Sequence, residues 1–168
     1  LHNLPCGLCA VDAERTVTLW NDEFTRLMDL PSEMLLTGRV TLDDIVSYGA
    51  SQGEYGEADI EVLLQRGHHN LQKVLSGQVV ERKRPDGTWV EIRGGSMPGG
   101  GHVITFMDIT ARRQAQQEAE KNERILKEAI GALNEAFSLY DPQDRLVYCN
   151  EKYRQVYQHS EEIIRPGV

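Results

Sequence analysis

The chain has 168 residues, a hydrophobic share of 40% and a formal net charge of −8, enough for one domain, or one domain plus part of another, with a modest core. The negative charge argues against nucleic acid, whose phosphates favour a basic face. No apolar run approaches the ~20 residues needed to cross a bilayer and no signal peptide opens the chain, so no membrane contact is expected in this stretch and the cytoplasm is the expected compartment.

In chain order, Gly7 to Val11 reads as a short apolar strand, Asp12-Ala13-Glu14-Arg15 as a polar turn, and Thr16 to Trp20 as the return strand. Asn21 is placed to cap a short helix whose Phe24, Leu27 and Met28 fall on one face, with Pro31 ending it. Ser32 and Glu33 open a second short helix that Gly38 stops, and Thr41 to Val46 gives a third short turn. Beyond the Gly53-Glu54-Tyr55-Gly56 loop, a longer helix is expected over roughly Ala58 to Leu75. Its stripe is Ile60, Leu63, Leu64, Leu71, Val74 and Leu75, and Gly67 is a candidate break. Gln78 to Arg84 and Thr88 to Met97 flank Pro85-Asp86-Gly87, a strong turn signal, and Pro98-Gly99-Gly100-Gly101 turns the chain into a last strand, His102 to Ile109. Two strands, several short helices and three strands imply an α+β fold: one five-stranded antiparallel sheet with helices on one face.

A polar helix follows over Ala111 to Leu133. Ala115, Ala119, Asn122, Leu126, Ala129 and Leu133 recur at spacings of four and three, the seam of a two-stranded coiled coil, here poor in large apolar residues. After it the chain repeats itself. Leu4 to Gly38 lies over Leu133 to Gly167 without a gap, offset by 129 residues, with Leu4, Asp12, Asn21, Glu33 and Gly38 matched by Leu133, Asp141, Asn150, Glu162 and Gly167. Leu8 with Phe137, Val17 with Leu146, Asp22 with Glu151, and Phe24 with Tyr153 are similar pairs. The expected organisation is a domain over 1–110, a helical linker over 111–132 and the N-terminal part of a second domain over 133–168. The chain reads as an excerpt of a longer protein, in which a transmembrane segment elsewhere is allowed.

This order, with Trp20-Asn21 closing the second strand, the Gly53–Gly56 loop, Pro85-Asp86-Gly87 and the closing run Gly100 to Thr110, resembles the PAS superfamily. The resemblance is closest to the branch found in bacterial sensor histidine kinases, hybrid ones included, and beside diguanylate cyclase modules. It implies a sensory or signal-relay module of a two-component system, sensing a small ligand or passing a signal through its C-terminal helix. It also implies a homodimer and a downstream kinase or cyclase domain in the same chain. Asp108-Ile109-Thr110, ending the last strand before a polar helix, resembles the joint of PAS domains that feed signalling helices. There Thr110 or Asp108 can offer an oxygen to the free amides of the following helix. A ligand-free dimerisation scaffold and a sensor module of a cyclase or phosphodiesterase are the alternatives.

Chemistry within the stretch is scarce. Cys6-Gly7-Leu8-Cys9 has redox or zinc spacing, but it runs into a strand, where positions three apart face opposite ways, and Cys149 belongs to the next repeat. Cys9 reads as a small core residue, and three cysteines make no disulfide framework. Of His68 and His69, about 100° apart on a helix, at most one can face a pocket, so haem is not indicated. No cysteine lies between Cys9 and Cys149, which excludes a photoactive cysteinyl–flavin adduct. Neither a kinase ATP site nor a nucleophile triad is present. Strand alternation nominates Cys9, Val11, Val90, Ile92, Ile104 and Phe106, with Phe24 and Met28 from the helical side, as the lining of a cavity for a small, mainly apolar ligand.

Overall fold

A computed structural model describes residues 4–36 and 39–157. The elements are β1 (Gly7–Val11), β2 (Val17–Trp20), α1 (Asp22–Met28), α2 (Ser32–Leu36), α3 (Leu42–Ser51), α4 (Ile60–Leu75), β3 (Val80–Lys83), β4 (Trp89–Ser96), β5 (His102–Asp108), α5 (Thr110–Gly131), β6 (Ser138–Tyr140), β7 (Leu146–Cys149) and α6 (Glu151–Val156). Two compact units divide between Arg113 and Gln114. The expected stop of the second helix at Gly38 lies outside the described residues, as do the repeat partners Glu162 and Gly167.

The first unit is the expected five-stranded antiparallel sheet, in the order β2-β1-β5-β4-β3. β1 and β5 are neighbours at its centre, with Cys9 opposite Ile104. The helices lie between β2 and β3 in sequence because their starts are locally encoded. Asn21 accepts from the Phe24 amide at the head of α1, and Asp29 closes that helix in the left-handed conformation. Thr41 and Asp44 form a reciprocal capping box that begins α3. One contiguous core joins Cys9, Val11, Phe24, Leu27, Ile45, Val90, Ile104 and Phe106 between sheet and helices.

Three expectations are corrected. The third helical turn is a ten-residue helix, Leu42–Ser51. α4 begins at Ile60 rather than Ala58, and Ile60 is exposed, so the buried stripe starts at Leu63. Gly67 does not break α4. It is buried, and a Cβ there would stand 2.5 Å from Val46 Cγ1 and 2.8 Å from the Tyr55 ring. The glycine lets α3 and the Tyr55 loop approach the helix.

The second unit repeats the opening of the first bond for bond. Asn21 accepts from the amides of Leu8 and Phe24 and donates to the Cys6 carbonyl. Asn150 accepts from the amides of Phe137 and Tyr153 and donates to the Glu135 carbonyl. Each partner is displaced by the same 129 residues (Leu8 onto Phe137). The turn repeats too, with Arg15 and Asp144 both left-handed and the Asp12 and Asp141 carboxylates both accepting from the amide four residues on. Both hairpins shift register at the corresponding place, between Ala10 and Val11 and between Leu139 and Tyr140.

Candidate functional site

All eight residues nominated for the cavity are buried, and four of them, Met28, Ile92, Ile104 and Phe106, line a cavity of about 60 Å³ between sheet and helices. Cys9, Val11, Phe24 and Val90 pack in the surrounding core instead. Phe24 and Phe106 stand 4.8 Å apart, ring to ring, and close that side. A space of this size takes a few waters, far short of the 300 Å³ or more usual for a small-molecule pocket. Burial pushes the Cys9 thiol up to about 12, which suits a core residue and not a reactive thiolate. His68 is not a freely solvated side chain. Its Nε2 lies 3.1 Å from Asp43 Oδ1 and its Nδ1 2.9 Å from the Leu64 carbonyl, so it ties α4 to α3. Among the described residues no three His, Cys, Asp or Glu side chains gather as a metal site. No described helix is long and apolar enough to cross a membrane.

One edge of the cavity is ionic, which the sequence reading missed. Glu54 is buried and held by two arginines of the β3 end, Arg82 through Nη1 and Arg84 through Nε at 2.8 Å and Nη2 at 2.7 Å. Arg82 also lies over the Tyr55 ring at 5.3 Å, and Arg84 reaches Asp86 at 3.2 Å. The signal was in the strand parity. Val80, Arg82 and Arg84 share one face, so a core-facing Val80 turns both arginines inward and a buried carboxylate must answer them.

The other face of β3 and β4 holds the start of α5. Ile109 is buried, its amide donates to the Trp89 carbonyl at 2.8 Å, and the Trp89 amide donates to Thr110 Oγ1 at 2.9 Å. Asp108 Oδ1 accepts from the Thr110 amide at 2.8 Å. Of the two oxygens offered for the helix start, Asp108 therefore serves the first amide, whereas Thr110 bonds back to β4. One turn on, Arg112 pairs with Glu81 at 3.0 Å and with Glu91 at 2.9 Å; Arg113 pairs with Glu81 and lies over the Trp89 ring at 5.0 Å. Hydrogen bonds from Arg93, then Arg112, hold the Glu91 carboxyl below its ordinary range. Strand alternation puts Glu91 and Arg93 on the face of β4 opposite Val90 and Ile92. Beyond this clamp α5 buries nothing; Leu126 is exposed, as are Ala115, Ala119, Asn122 and Ala129.

A family model described as PAS fold matches residues 1–117. A curated relative, the non-motile and phage-resistance protein of Caulobacter vibrioides, is 39% identical over 85 residues, 47% of this chain and 10% of that protein's length. Among solved structures, a domain of a sensory box sensor histidine kinase/response regulator from Geobacter sulfurreducens aligns with a TM-score of 0.39 at 16% identity, covering 64% of this chain and 86% of that one. The PAS domain of BvgS from Bordetella pertussis aligns with a TM-score of 0.43 at 13% identity, covering 71% and 88%.

Proposed function

The chain belongs to the PAS family, and on that premise we propose that residues 1–110 form a sensory relay. Strain in the core reaches α5 through β3, β4 and the Asp108-Ile109-Thr110 joint. The observation that carries this reading is the ionic clamp: Glu81 and Glu91, on two adjacent strands, both grip the first turn of α5. Glu81 is flanked in β3 by Val80 and Arg82, which face the core and its buried carboxylate. A shift of β3 therefore moves the helix start as well as the cavity edge.

The parent protein is a bacterial two-component sensor histidine kinase in this proposal, with the output domain downstream. Residues 133–157 begin a second PAS domain; the repeated asparagine network supports this, and an extended chain should complete the sheet beside β6. α5 pairs with a second copy through Ala115, Ala119, Asn122, Leu126 and Ala129. The cavity of about 60 Å³ supports relay of strain over capture of a buried apolar ligand. Mass spectrometry of the freshly purified chain under native conditions tests that choice: a retained small molecule would favour sensing within the core.

A further inference from the structure

Outside the cavity, across Tyr55, Asn70 and Arg82, lies an open cleft of about 470 Å³, whose lining also includes Arg66, His69 and Lys83. Its size falls within the range of small-molecule sites. Its lining is rich in donors and short of acceptors. The one carboxylate, Glu54, has one oxygen bonded by Arg82 and the other by Arg84. Arg66 spends Nη1 on the Tyr55 carbonyl at 3.1 Å, and no described carboxylate pairs with it. The side chains of His69 and Asn70 have no hydrogen-bond partner among the described residues, and Lys83, at the rim, has no ion-pair partner among them. In a chain of net charge −8, this is a local excess of cations and free N–H groups.

We infer that this cleft binds a small organic oxyanion, bearing carboxylate or phosphate groups, with Arg66 as its main anchor. Guanidinium is suited to the task, since its planar fork bonds two oxygens of either group at once. Tyr55 borders the inner cavity as well, so the anion's uncharged part has an aromatic edge to rest on. The inference deepens the sensory reading, because Arg82 belongs both to the cleft and to β3.

The test is titration of the whole chain with succinate, with inorganic phosphate and with neutral succinamide at 150 mM chloride, followed by backbone amide shifts. The expected result is saturable movement of the amides of Tyr55, Arg66 and Lys83 with one of the two anions and none with succinamide. Which anion acts separates the dicarboxylate from the phosphate source. Arg66→Gln, a change at an exposed position, should weaken that binding about tenfold or more. No saturable shift with either anion, or binding unchanged in Arg66→Gln, overturns the site. Binding without any change in α5 amides leaves the site standing and counts against the relay instead.

Discussion

The two faces of the five-stranded sheet are built by different rules. Toward the helices, Phe24, Ile104 and Phe106 pack an apolar core around a small cavity, with Glu54, Arg82 and Arg84 as a charged cluster at its edge. On the opposite face of β3 and β4, Glu81 and Glu91 hold Arg112 and Arg113 at the start of α5. The first arrangement is desolvated, so losing a partner is expensive; in the second Glu91 is buried but Glu81, Arg112 and Arg113 are partly exposed, where single ion pairs contribute less to stability. In the proposed relay, stability and communication are thereby separated across one layer of backbone.

The largest effect should come from the inner charges. Glu54→Gln removes the carboxylate that holds Arg82 and leaves Arg84 only the exposed Asp86 as counter-charge, and should destabilise the first unit by about 3 kcal/mol in urea unfolding. A loss below 1 kcal/mol would mean that the arginines escape to solvent. Next, Gly67→Ala adds a methyl against Val46 and Tyr55, costing about 1–3 kcal/mol of overpacking even though alanine favours the helix by about 1 kcal/mol. A net gain on thermal melting would show that the two helices can part freely.

Changes outside the core should be smaller in stability and larger in consequence. Leu126→Glu should shift the chain toward monomer in sedimentation at tens of micromolar without moving the melting temperature of the first unit, since α5 buries nothing there. A wild-type monomer at that concentration would contradict the proposed pairing. The smallest effect concerns pH. Glu91 has a depressed pKa, so its contribution is complete above its ordinary value of 4.5 and is lost as pH falls through the lower folded-state value. The clamp should therefore be insensitive between pH 6 and 8 and loosen in acid, and Glu91→Gln should remove that acid dependence from amide exchange in α5.

Strand order and helix starts were legible because they are encoded within a few residues: Asn21 and Thr41 as caps, Pro85-Asp86-Gly87 as a turn, alternation along β4 and β5. The repeat was legible for the same reason. The hairpin partners of Asn21 and Asn150 lie within fifteen residues of each asparagine, so both copies carry that instruction locally, and Asn150 adds a bond to the Ile130 carbonyl of α5. What the sequence hid were contacts between distant segments. Glu54 meets Arg84 thirty positions further along the chain, and Glu81 meets Arg113 thirty-two further. Gly67 was misread because helix propensity marks a glycine as a break, whereas close approach to Val46 and Tyr55 requires one there. Cavity residues were identified as inward-facing by parity, but parity carries no information on whether the space between them is filled.

The central claim is that a disturbance inside the core reaches α5 through the clamp. Ile104→Trp overfills the cavity, and hydrogen–deuterium exchange of α5 amides reads its effect in the wild-type background and in Glu81→Gln/Glu91→Gln. The account predicts altered exchange over residues 114–131 in the first background and none of that alteration in the second. Exchange in α5 that ignores Ile104→Trp in a folded protein, or responds equally with the clamp removed, would contradict it.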